Sequence, residues 1–183
     1  GKVYKWVEPV GGIRQGNFIP ATLLIAPRKQ QVFTLGGEYT ETNFSIKTEL
    51  ATSVLDVNTF SSKDKGNDQG FAGRLMANHI KNLKAAKGLS LLTDLYYEHI
   101  GQNFRPIERL RNVEFNRDWG LAFDASPATE NLLTVGTQLK DKTGHQVRYS
   151  FTSFQRSNNY QAFRNGIYHT GQVKLWRFNN QFV

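Results

Sequence analysis

The stretch LTVGTQLKDKTGHQVRYSFT, Leu133 to Thr152, decides the fold. Leu133, Val135, Thr137 and Leu139 alternate with Thr134, Gly136, Gln138 and Lys140. After Asp141-Lys142-Thr143-Gly144 the alternation resumes, with Val147, Tyr149 and Phe151 against Arg148, Ser150 and Thr152. A repeat of two places successive side chains on opposite faces of an extended chain. Asp, Lys, Thr and Gly between the halves supply turn chemistry, so the stretch reads as a β-hairpin.

Working outward, the same period returns in Phe44, Ile46, Thr48 and Leu50 against Ser45, Lys47, Glu49 and Ala51. A helix would scatter Lys47 and Glu49 around its circumference; a strand gathers them on one face. Further strands are expected at Lys2–Val7, Thr22–Ile25, Gln31–Leu35, Gly70–Ile80, Leu89–Ile100 and Ala162–Leu175. Gly11-Gly12, Gly36-Gly37, the polar loop Ser61–Gly70 and Ser126-Pro127 separate them. His79–Lys87 has helix formers in Ala85 and Ala86, yet a basic turn between two long strands is preferred. The expected class is all-β: an antiparallel up-and-down meander, forming a barrel or part of one, with long polar loops.

The chain of 183 residues suits one structural unit, residues 1–183. A formal charge of +8 is dispersed from Lys2 to Arg177 without a block, which argues weakly for nucleic acid. Basic residues do meet aromatics in Arg148–Arg156 and Lys174–Phe178. There, however, Tyr149 and Phe151 share the face of Val147, opposite Arg148, so the rings are not offered to bases and no nucleic-acid partner is expected. The absence of cysteine excludes disulfides, thiolate metal sites and cysteine nucleophiles. The chain opens at Gly1 without a basic and apolar leader, so any export signal is expected to be removed or to lie upstream in a larger parent. No run approaches the ~20 apolar residues of a membrane helix.

Mid-strand polar residues such as Lys47, Glu49, Asp94, Glu98 and Arg148 fit two environments. In a soluble sandwich they face water, and the apolar alternates form the core. In an outer-membrane barrel they face a wet lumen, and the apolar alternates face lipid. Periodicity alone leaves both open.

Two segments carry a resemblance. ELATSVLDVNTFSSKDKGNDQGFAG, Glu49 to Gly73, followed by FRPIERLRNVEFNRDW, Phe104 to Trp119, resembles segments of large β-rich outer-membrane proteins of the Bacteroidetes type. The opening GKVYKWV is similar to their Gly-x-Tyr-x-Trp-Val entry, although Glu8-Pro9-Val10-Gly11-Gly12 lacks the aspartate that usually follows. The resemblance spans about half the chain. It implies a β-barrel wall at the bacterial cell surface, outer-membrane lipid as partner, and other segments of a larger parent chain as further partners.

Candidate chemistry is sparse. Asp56 and Asn58 stand at the first and third positions of a loop that could hold calcium, but Phe60 and Ser61 occupy the fifth and sixth. Counting from Asp64 instead brings Asp68 to the fifth position and puts Gly66 at the third. A hydrated loop is the simpler expectation. His79, His99, His145 and His169 lack HExxH or HxH spacing, the glycine pairs lack phosphate-loop spacing, and no Gly-x-Ser-x-Gly elbow is present, so no cofactor is expected.

The densest polar stretch is FRPIERLRNVEFNRDWG, Phe104 to Gly120. Asn112–Asp118 alternates as a strand would, which separates Glu114 from Asp118 by about 13 Å. That exceeds the ~5 to 9.5 Å of glycosidase carboxylate pairs. A helical turn would bring the pair together, and a partner such as Asp94 or Glu98 could come from another strand. The expected role is instead a structural network in which Arg105, Arg109, Arg111 and Arg117 satisfy Glu108, Glu114 and Asp118.

Three functions follow in order. The first is a non-enzymatic β-barrel portion of an outer-membrane protein. The second is a soluble, periplasmic or secreted β-sandwich or barrel binding a ligand such as a glycan through Trp119, Tyr96 and Tyr97. The third is a hydrolase built on Glu114 and Asp118.

Overall fold

The computed structural model describes residues 3–18, 25–63, 65–84, 88–122, 125–173 and 175–183. Eight antiparallel strands form one sheet in simple meander order. They are β1 (Lys29–Thr40), β2 (Phe44–Asp56), β3 (Gln69–Lys84), β4 (Leu89–Ile100), β5 (Glu130–Lys140), β6 (Gln146–Arg156), β7 (Tyr160–Val173) and β8 (Trp176–Phe182). One helical turn, α1 (Phe115–Asp118), lies between β4 and β5. The all-β antiparallel meander expected from period two is the fold. The sheet is not closed, since β1 and β8 are not paired with each other.

The decisive hairpin forms as its sequence requires. Leu139 pairs with Val147 and Lys140 with Gln146. Asp141 Oδ1 accepts the amides of Thr143 and His145, each at 2.9 Å, which closes the turn. Those bonds, led by the Thr143 hydroxyl, hold the Asp141 carboxyl below its ordinary 3.8.

Several expected strands differ in extent or existence. β1 runs straight through Gly36-Gly37, read above as a break, because Gly36 fits closely against the Thr48 carbonyl of β2. β3 continues to Lys84, so a strand takes up most of the basic turn preferred at His79–Lys87, as well as of the helix set against it; Ala85–Lys87 lie outside the described residues. The strand expected at Ala162–Leu175 lies within β7 as far as Val173, and Leu175 is in the turn before a further strand, β8, which the pattern did not reveal. Val3–Val7 forms no strand; the segment carries the single bridge Val10 to Ile13 instead. Thr22–Leu24 lie outside the described residues and Ile25 is irregular.

The sheet is staggered in one sense. A row of paired residues starting at Leu35, midway along β1, passes Leu50, Gly73, His99, Asn131 and Gln155. It reaches β7 at Gln161, next to the start of that strand. A drift of about five residues, or about 17 Å, over six strand spacings corresponds to a tilt of roughly 30°. Tilt of that size is what closing a sheet into a barrel requires.

Register assigns every side chain to one of two faces. The first carries Phe33 and Leu35 of β1, Ile46 and Leu50 of β2, Leu75 of β3, Leu95 of β4, Val135 of β5 and Ile167 of β7. Among the described residues its charged side chains are Lys29, Asp56 and Lys81, all near strand ends. The second face carries Glu49, Arg74, Asp94, Glu98, Arg148 and Arg164, with charges along its whole length.

Burial runs opposite to that of a soluble sheet. Phe33 is 76% and Leu35 75% exposed. The buried apolar residues are Ala72 and Phe154, both on the polar face, and Phe104 and Ala128 from the segment folded over it. The core therefore sits on the polar side, and none of the described elements packs against the apolar one.

Candidate functional site

The long connection 101–129 between β4 and β5 does not project away from the sheet; it lies across one end of the polar face. Above β2 and β3, the Arg105 amide donates to Ser53 Oγ at 2.8 Å. There a Cβ on Gly70 would stand 2.2 Å from the Phe104 nitrogen, so only glycine admits the crossing chain. Above β4 and β5, Arg111 bridges Glu98 and Glu130, the latter at 3.3 Å. Above β6 and β7, α1 sets Phe115 edge-on to Phe154 at 5.2 Å and Trp119 against the same ring at 5.2 Å. The Tyr160 hydroxyl donates to the Trp119 carbonyl, and Arg164 donates to the Asp118 carbonyl at 2.7 Å while its guanidinium covers the Trp119 ring.

The strongest electrostatic anchor is Arg156. Its side chain is 4% exposed; Nε donates to Glu130 Oε1 at 3.0 Å and Nη2 to the Ser126 carbonyl at 2.7 Å. Glu130 thus ties Arg156 of the sheet to Arg111 of the crossing segment. Tyr96 adds to the same group, its hydroxyl donating to Glu98 at 2.7 Å. Away from the crossing segment the face is laced by ion pairs: Glu38 with Lys47, Glu49 with Arg74, and Asp94 with Arg148. The last pair spans β4 to β6 directly over Gly136, where a Cβ would meet Arg148 at 2.4 Å. A glycine in mid-strand makes room for a bidentate bond between strands that are not neighbours.

The residues singled out from sequence have separate fates. The strand expected over Asn112–Asp118 is a helical turn instead, because Phe115 and Trp119, four residues apart, both pack on Phe154 and turn the chain. The distance argument separating Glu114 from Asp118 therefore fails. Arg117 stands between them, at 2.6 Å from Glu114 and 3.6 Å from Asp118, all three side chains largely in solvent. Only this part of the expected network is internal to the segment. Arg111 finds its acids on β4 and β5, and Arg105 donates to the Gln102 and Phe104 carbonyls. Glu108 and Arg109 are exposed and enter no ion pair among the described residues.

The aromatic trio does not converge. Tyr96 lies on the polar face, Tyr97 next to it points to the apolar face, and Trp119 is packed between Phe154 and Arg164. In the calcium candidate loop the Lys65 ammonium lies against Asp56 and 3.8 Å from Asp68, filling the place of a cation, while Asn58 donates its amide to Asp56. Asp64 lies outside the described residues.

Sequence reasoning missed Ser53, Glu130, Phe154, Arg156 and Tyr160. One signal was available: Phe154 falls in the polar register of β6, after Arg148, Ser150 and Thr152. A lone aromatic in a polar row marks where something packs onto it. No described helix is long and apolar enough to cross a membrane. Compared with known protein families, with curated proteins and with solved structures, the chain matches none.

Proposed function

We propose that the chain is an arc of a non-enzymatic β-barrel wall in a bacterial outer membrane, its apolar face toward lipid and its polar face toward a wet lumen. The observation that carries this reading is the polarity of one sheet: Leu35 is 75% exposed on the apolar face, and Arg156 8% exposed on the polar one. In water such an arrangement leaves a broad apolar surface uncovered, a costly state. In lipid it becomes the low-energy state, and the polar face keeps its charges wet or paired. Strands β1 to β7, of 11 to 16 residues, exceed the ~9 to 11 needed to span a bilayer.

Partners follow from the same geometry. The free edges of β1 and β8 present unpaired backbone groups, which lipid cannot satisfy. Further antiparallel strands with outward apolar and inward polar side chains, from the rest of a larger protein, would complete the wall. An eight-stranded barrel has an interior filled by side chains alone. A backbone segment lying across β2 to β7 needs a wider lumen, so the complete barrel has more than eight strands, and 101–129 narrows it at one end.

A soluble exported sandwich is the competing reading, and it needs a second sheet over the apolar face. Size-exclusion and light scattering separate the two. The proposal expects a chain that aggregates without detergent and inserts into lipid vesicles. A monodisperse, detergent-free chain with no affinity for vesicles would exclude it.

A further inference from the structure

Beneath the crossing segment is a cavity of about 200 Å3, walled by Phe104, Arg105 and Leu121 on one side and by Ile100, Glu130 and Arg156 on the other. We propose that it binds a small carboxylate with a short aliphatic body. The charge count is unbalanced in favour of an anion. Among the described residues of the cavity wall, Arg105 and Arg156 supply two guanidinium groups against the single carboxylate of Glu130. Among the described residues Arg105 enters no ion pair, and of its guanidinium nitrogens Nη1 is the one engaged, by the Gln102 and Phe104 carbonyls. Arg156 is held rigidly through Nε and Nη2, which leaves Nη1 without a partner among the described residues.

Two guanidinium groups on the wall of one partly open pocket suit an oxyanion, and the fork of N–H donors suits a planar carboxylate. Phe104, Leu121 and Ala128 make part of the wall apolar, which gives an aliphatic body a place that inorganic phosphate would leave unused. The volume lies below that of drug-sized pockets, so the ligand is short. The cavity is built by the sheet and its own connection, so the proposal stands whether the outer face meets lipid or protein.

The test is a titration of the folded 183-residue chain, solubilised in detergent where needed, followed by amide and guanidinium NMR shifts. Butyrate is the probe, with butyramide and inorganic phosphate as controls. The proposal expects saturable butyrate shifts centred on Arg105, Ala128 and Arg156, no response to butyramide, and weaker binding of phosphate. Arg105→Gln should weaken butyrate roughly tenfold or more, the scale of one charge-assisted hydrogen bond, and Arg105→Lys should restore part of it. An unchanged spectrum of the sheet residues shows that either variant is folded. Absence of saturable butyrate shifts, an equal response to butyramide, or unchanged affinity in folded Arg105→Gln would overturn it.

Discussion

The two faces of this sheet contrast more sharply than any two segments along the chain. On one, Phe33, Leu35, Leu50 and Val135 stand uncovered; on the other, Arg156 and Phe154 are buried beneath a polar connection. A soluble protein draws its cohesion from the apolar side. Here cohesion within the chain comes from the polar side, and none of the described elements covers the apolar one. Composition hides this, because a mean over both faces looks like that of an ordinary soluble domain.

The contrast can be broken most severely at Arg156. Arg156→Ala would leave Glu130 partly uncompensated under the crossing segment and should cost about 3 kcal/mol, whereas Leu35→Ala in detergent should cost less than about 0.5 kcal/mol. Urea titrations of both variants measure the difference. A reversed order would mean that the apolar face is a core after all.

The apolar face is probed next by Val135→Arg, midway along β5. In a bilayer a charge there should destabilise by about 2 to 4 kcal/mol, while Gln138→Arg on the polar face should lie within about 0.5 kcal/mol of the parent. Unfolding from vesicles reads both. A smaller effect is expected where the connection crosses β3: Gly70→Ala sets a methyl against the Phe104 backbone and should cost about 1 to 3 kcal/mol. It should raise hydrogen exchange in 101–122 while β4 to β6 stay protected.

The smallest effect lies at the β5–β6 turn. Asp141 has a folded pKa below its ordinary 3.8, so its contribution is present above that value and is lost as pH falls through the folded pKa. An NMR titration should show the Thr143 amide shifting with a midpoint below 3.8. Asp141→Asn should remove that transition.

How much of this was legible depended on what each signal encodes. Period two in Phe44–Leu50 and Leu133–Thr152 reported local extension, and it placed β2, β5 and β6 and their facing side chains correctly. It could not report which face is covered, since that depends on what the chain meets. Gly36-Gly37 was misread because glycine marks both turns and close strand approach. Asn112–Asp118 alternates like a strand but coils, because Phe115 and Trp119 gain a shared partner in Phe154 that no local window contains. The arginines of that stretch were expected to satisfy Glu108, Glu114 and Asp118, yet Glu98 and Glu130, the acids of Arg111, are set by long-range register.

The most direct test uses the absence of cysteine in the chain. Single cysteines from Leu132 to Leu139 would carry a nitroxide in lipid vesicles, and its collisions with oxygen and with a water-soluble nickel chelate would be measured. Labels at 133, 135, 137 and 139 should collide with oxygen from the lipid, and labels at 132, 134, 136 and 138 should not. Loss of that alternation, or odd positions shielded from both reagents, would contradict a lipid-facing apolar surface.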